Sequence, residues 1–185
     1  MDKWLKQAGI NTLTPIIEKD GDKWAISIKQ DQPEVEGIPK VLREQMIEIA
    51  AFKLRKVAGV TNDEWDEDGE LELCKKLEVS KSLKRVLVNA EELTKNVAIL
   101  DEKPDAVLLN FNNLGYAQVR FDDDSRKCFL ANVKYITNAP ARTYVWRTLV
   151  QMMQVGDLGI VEWQQLINGC VEFETEEQTL SIIFD

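Results

Sequence analysis

An α+β fold, a β-sandwich followed by antiparallel α-helices, is predicted by three features of this sequence. Between residues 11 and 121 many short β-rich runs follow one another with turn signals at close spacing, as a two-sheet sandwich requires. After Phe121 the apolar period changes from two to the helical spacing, beginning at the start cluster Asp122-Asp123-Asp124-Ser125. The chain has 185 residues and 44% hydrophobic content, enough for one substantial core or two small packed units.

The elements follow in order. Asp2 to Gly9 reads as the last turns of a helix stopped by Gly9, so residues 1–10 are expected to end a helix of a preceding domain, in a chain that began earlier. Thr12 to Glu18 and Lys23 to Lys29 are strands joined through Asp20-Gly21, a hairpin signal. In the second run Trp24, Ile26 and Ile28 alternate with Ala25, Ser27 and Lys29, as a strand with one buried face does. Gln30 to Pro39, with two prolines, is a loop or irregular edge. Val41 to Val57 fits either period and is read as a strand on context.

The acidic connector Thr61 to Glu70 leads to an alternating run, Leu71 to Val79, and Lys84 to Asn89 and Val97 to Leu100 are further short strands. Ala106 to Phe111 has the unbroken apolar character of a buried strand, and Tyr116 to Phe121 alternates again. In the helical part Phe129, Val133 and Ile136 follow the acidic start. Pro140 opens a second helix with the stripe Val145, Trp146, Leu149, Val150 and Met153 before Gly156. Ile160 to Val171 and Glu174 to Phe184 are two more helices.

Composition narrows the function. Acids outnumber bases 32 to 23, a net charge of -9, which disfavours nucleic acid and anionic membrane as partners. No apolar run approaches the roughly 20 residues of a membrane span, and Met1-Asp2-Lys3-Trp4 lacks the form of a secretory signal, so a soluble, cytoplasmic protein is expected. Cys74, Cys128 and Cys170 are too widely and irregularly spaced for a disulfide framework or metal knuckle, and are read as reduced, buried thiols. The chain has no histidine, the usual acid or base near neutral pH, the usual activator of Ser or Cys and the commonest zinc ligand. No catalytic residue and no metal ligand is therefore assigned.

The remaining clusters each have a plain structural explanation. Glu64 to Gly69 has oxygen ligands at alternate positions and glycine sixth, like the start of a calcium loop, but Lys75 stands where the bidentate glutamate belongs, so the 62–70 stretch reads as a solvated turn at Asp68-Gly69. Lys81-Ser82-Leu83-Lys84-Arg85 lacks interleaved aromatics and reads as a solvated sheet edge. Trp146, Met152 and Met153 read as core, and Asp122 to Asp124 as a cap. Arg142 at a helix start is a candidate inter-domain contact, a guanidinium able to clamp a carboxylate of a neighbouring domain, whereas Arg147 reads as solvated.

One segment carries a family resemblance. In Asn110-Phe111-Asn112-Asn113-Leu114-Gly115-Tyr116-Ala117-Gln118-Val119-Arg120-Phe121-Asp122, the residues Asn110, Gly115, Tyr116, Val119, Phe121 and Asp122 match a pattern near the end of the small β-sandwich domain of the aminopeptidase N family of zinc metallopeptidases. Ala117 and Gln118 depart from it, replacing an aromatic and an arginine. Trp4 to Gly9 resembles the tail of that family's catalytic domain, and Arg142 to Trp146 with Gly156-Asp157-Leu158 resembles the opening of its helical C-terminal domain.

The resemblance implies a bridging β-sandwich over 11–121 and the start of a helical C-terminal domain over 122–185. The partners it implies are the catalytic domain and the remaining C-terminal helices of the same parent chain. It further implies a parent that hydrolyses N-terminal residues from peptides using zinc held by His-Glu-x-x-His and a downstream glutamate, with a Gly-x-Met-Glu-Asn motif for the free amine. None of these motifs occurs here, so no active-site residue transfers and no cofactor is expected in this segment. From a different class, a free-standing module binding a protein or peptide at a sheet edge or helix groove remains open, as does a histidine-free carboxylate enzyme. Incompletely covered stripe residues, Val145, Trp146, Leu149 and Met153, would favour self-association.

Overall fold

The computed structural model describes residues 7–56 and 75–184. Most of the helix end expected over 2–9, the acidic connector, Cys74 and the start of the run from Leu71 lie outside the described residues. Among the described residues the strands are β1 (Asn11–Asp20), β2 (Lys23–Asp31), β3 (Gln45–Lys56), β4 (Lys75–Val88), β5 (Leu93–Leu100), β6 (Ala106–Leu109) and β7 (Ala117–Val119). They are followed by the helices α1 (Asp123–Asn132), α2 (Ala139–Gln154), α3 (Ile160–Cys170) and α4 (Glu177–Phe184). The fold is α+β, with two sheets ordered β5-β2-β1-β7 and β4-β3-β6.

The β1–β2 hairpin closes with Asp20 opposite Lys23, so its loop is the pair Gly21-Asp22. Gly21 takes φ of 61°, the left-handed conformation a primed turn needs at its first central position. β2 pairs antiparallel with β5, with a bulge between Ile26 and Ile28. Ala25 and Ser27 are buried along with Ile26 and Ile28, so β2 has both faces covered where its alternation predicts one. On the far side of β1 the three-residue β7 pairs in parallel, Leu13 opposite Val119. β1 also lies against β6 of the second sheet.

β3 confirms the strand reading of the ambiguous segment. Ile47, Ile49 and Ala51 alternate with Glu48, Ala50 and Phe52, and all six are buried. A strand covered on both faces loses its period of two, which is why periodicity alone did not separate it from a helix. β4 corrects the reading of two short strands. It runs unbroken through the basic cluster, with Arg85 at φ of 57° absorbing an irregularity, and forms the exposed edge of its sheet.

The chain divides into two compact units, Met1–Ala51 with Ser80–Cys128, and Phe52–Val79 with Phe129–Asp185. In the first, Asp122 opens α1 by accepting hydrogen bonds from the Asp124 and Ser125 amides at 3.1 Å each. Buried Ser125 then accepts from the Val107 amide of β6 at 2.9 Å, fastening the helix start to the sheet.

In the second unit Phe52 and Phe129 meet edge to face with ring centres 5.5 Å apart, and Leu77 bridges in parallel to Ile136. Asn138 caps α2 by accepting from the Ala141 amide at 2.9 Å, with Pro140 in the first turn. Along α2 the buried residues are Ala141, Val145, Trp146, Thr148, Leu149 and Met152, and the Trp146 and Trp163 rings, on α2 and α3, meet edge to face with centres 6.1 Å apart. The expectation of an uncovered stripe is thus corrected. Val145, Trp146 and Leu149 are fully enclosed, while Val150 and Met153 sit at the margin and Met152 takes the inward place. Cys170 is buried as expected, whereas Cys128 is partly exposed. Among the described residues no helix is long and apolar enough to cross a membrane.

Candidate functional site

The segment from Asn110 to Asp122 begins where β6 ends. Asn110 is wholly buried and leaves the strand with φ of 55°, a left-handed conformation that asparagine tolerates better than most residues. Its side chain then does the work of a strand partner. Nδ2 donates to the Gly115 carbonyl and Oδ1 accepts from the Gly115 amide, both at 2.8 Å. The Asn113 amide donates to the Asn110 carbonyl at 2.7 Å inside the loop so formed. One carboxamide thereby closes a six-residue loop at its neck.

Gly115 is needed for space, not for backbone freedom. A Cβ there would stand 2.7 Å from Ile47 Cγ2 and 3.1 Å from Gln45 Oε1, both on β3. The loop is also tied to β3 through Glu48, whose carbonyl accepts from the Phe111 amide at 3.0 Å and whose carboxylate accepts from the Asn112 side chain. Of the other singled-out positions, Val119 and Phe121 are buried and Asp122 is the α1 cap, while Tyr116 is 68% exposed beside exposed Leu114. Ala117 pairs with Asn11, and Gln118 Oε1 accepts from the Thr12 hydroxyl at 3.4 Å.

Arg142 lies in the other unit, in the first turn of α2. Its guanidinium grips Glu174 in a two-point fork, Nε to Oε2 at 2.8 Å and Nη2 to Oε1 at 3.0 Å, while Nη1 donates to the Ile136 carbonyl at 2.7 Å. The residue clamps a carboxylate, as a guanidinium at this position is expected to, but that carboxylate belongs to its own helical unit and not to a neighbouring domain. Burial would raise the Glu174 carboxyl, yet the hydrogen bonds from Arg142 and from the Glu176 and Thr175 amides hold it below the ordinary glutamate value. Beside this pair the Thr143 and Thr179 hydroxyls meet at 2.7 Å. Arg147 is exposed, as expected.

Two residues that position these features escaped the sequence reading. Glu48 is a carboxylate inside the otherwise apolar run Met46 to Phe52 of β3, and that misfit is its only signal. Glu174 sits in a run of acids with nothing to distinguish it from its neighbours.

The arrangement fixes loops and helix starts. The residues do not fit a zinc site of the His-Glu-x-x-His type, because the chain has no histidine. Among the described residues no group of three Cys, Asp or Glu side chains is placed to hold a metal.

No family model matches the chain. Aminopeptidase N of Streptomyces lividans is 28% identical in an alignment of 181 residues that covers 94% of this chain and 19% of that protein. The chain thus spans about a fifth of the length of the curated relative it matches. Among solved structures, Legionella pneumophila aminopeptidase A in complex with aspartic acid aligns with 97% of this chain and 17% of its own, at 16% identity and a TM-score of 0.41. The sequence match agrees with the resemblance read from the Asn110 to Asp122 segment: the chain is similar to one stretch of an aminopeptidase N.

Proposed function

We propose that this chain, similar to one stretch of an aminopeptidase N, is a non-catalytic segment that joins the catalytic and helical domains of a zinc aminopeptidase-like parent. Residues 11–121 form the bridging sandwich and 122–185 the start of the helical domain. The parent removes N-terminal residues from peptides, with its zinc and its amine-binding groups elsewhere in its sequence. The observation that carries this reading is a match running through nearly the whole of this chain while occupying a fifth of the relative. The absence of histidine agrees with it, since the zinc ligands of such a parent cannot come from these residues.

Mechanistically the segment acts by holding. A loop closed by Asn110 and seated on β3, and helices fastened by Arg142 and Glu174, make rigid bodies. A rigid spacer of this kind keeps a helical domain over a cleft, limits entry to short peptides, and leaves opening and closing to the joints between bodies. The edge strand β4 carries Lys81, Lys84 and Arg85, which discourage strand addition and favour this reading over a sheet-edge peptide binder.

The reading frame that contains these residues tests it. A His-Glu-x-x-His motif with a downstream glutamate, encoded ahead of residue 1, is expected. A frame without one overturns the proposal.

A further inference from the structure

Arg43 lies in the loop before β3, only 2% exposed, and its guanidinium reaches main-chain carbonyls of two segments. Nη2 donates to the carbonyls of Gln7 and Ala8 at 2.7 and 3.2 Å, and Nη1 reaches the Val41 carbonyl and Asn11 Oδ1, each at 3.4 Å. Asn11 returns the contact by donating from Nδ2 to the same Val41 carbonyl at 2.8 Å. Gln32 completes the knot, donating to the Pro39 carbonyl at 3.3 Å and accepting from the Val41 amide at 3.1 Å. Between the clamped carbonyls and β1 stands Gly9 at φ of 101°, where an added Cβ would come within 2.6 Å of Gln32 Nε2.

We infer that this is a built-in lock on the chain's entry into the sandwich: Arg43 holds residues 7–9 by their backbone so that they move as part of the first unit. Two observations meet in it. A long cationic side chain has been buried to satisfy carbonyls three and four residues ahead of Asn11, and a glycine in a left-handed conformation brings those carbonyls round to it. Charge-assisted bonds to buried carbonyls are roughly twice as strong as neutral ones, and the planar fork satisfies several acceptors with one ordered side chain. A flexible linker would leave these carbonyls to water. In one respect the consequence rests on the proposed function: if the residues ahead of Gln7 come from a catalytic domain, the sandwich turns with that domain, and opening motions belong to joints further along.

Backbone ¹⁵N relaxation on the full chain tests the lock. Ala8 and Gly9 are expected to show order parameters near those of β1, about 0.85, and the Arg43 guanidinium protons are expected to exchange slowly. In Arg43→Lys, which keeps the charge but loses the fork, Ala8 and Gly9 are expected to fall below about 0.6 while Leu13 and Ile26 stay rigid. Mobile Ala8 and Gly9 in the unsubstituted protein, or unchanged rigidity in the variant, overturn the inference. Should the variant fail to fold, the order parameters and guanidinium exchange of the unsubstituted chain decide alone. None of these readings depends on what the parent protein is, so failure of the lock and failure of the proposed function are separable.

Discussion

Arg142 and Glu174, 32 positions apart, form a two-point ion pair in which the glutamate side chain is 1% exposed and the arginine side chain 13%. A pair this enclosed is costly to break from one side, because the survivor stays buried without its partner. Glu174→Gln is expected to destabilise the protein by about 3 kcal/mol. Arg142→Lys is expected to lose most of the same stability, since an ammonium cannot reproduce the fork. Urea denaturation of both variants measures this, and two losses below about 0.5 kcal/mol would mean that the pair is ornamental.

The same pair gives the helices a pH dependence. Burial alone would raise the Glu174 carboxyl, but Arg142 and two backbone amides hold it below its ordinary value in the folded protein. The stabilisation is therefore complete above the ordinary glutamate range, about 4.3, and disappears as pH falls through the lower folded value. Urea midpoints between pH 7 and 3 are expected to drop in the unsubstituted protein more steeply than in Glu174→Gln. Parallel curves would assign acid sensitivity to other carboxylates.

Gly115→Ala tests the close approach of the loop to β3. The added methyl would meet Ile47 Cγ2 at 2.7 Å, a contact that must be relieved by moving a buried strand, so a loss of about 1–3 kcal/mol is expected. Gly21→Ala is not the matching control, because that position is strained by its positive φ, whereas Gly169 in α3 meets nothing within 4 Å, so Gly169→Ala should stabilise the protein by up to about 1 kcal/mol. Asn110→Ala strands the amide and carbonyl of Gly115 and is expected to cost about 2 kcal/mol.

At the edge strand β4, replacing Lys81 and Lys84 together by valine removes the charges that keep this side of the sheet from pairing with another copy. Light scattering is expected to show concentration-dependent assembly in the double variant and much less in the unsubstituted chain. Equal behaviour would locate the protection elsewhere.

The sequence made the order of elements legible, and the reasons differ by element. The hairpin at Gly21 and the cap at Asp122 are local, set by turn and cap chemistry that few residues supply. β7 was visible as an alternating run, but its parallel pairing with β1 depends on where a loop closed by Asn110 delivers the chain. The basic cluster reads as a solvated sheet edge, and the edge strand β4 carries it, but its polar residues hide the period, so one strand reads as two. Long-range partners were the least legible. Nothing near Arg142 in the sequence names Glu174, and nothing near Gly115 names Ile47.

As proposed, this chain holds domains in place and leaves the peptidase chemistry to other residues of its parent. The most direct test is hydrolysis of an aminoacyl p-nitroanilide by the purified chain supplied with increasing zinc. The expected result is no turnover above that of zinc alone at any ratio. Turnover that rises with zinc and saturates at one equivalent per chain would contradict the account.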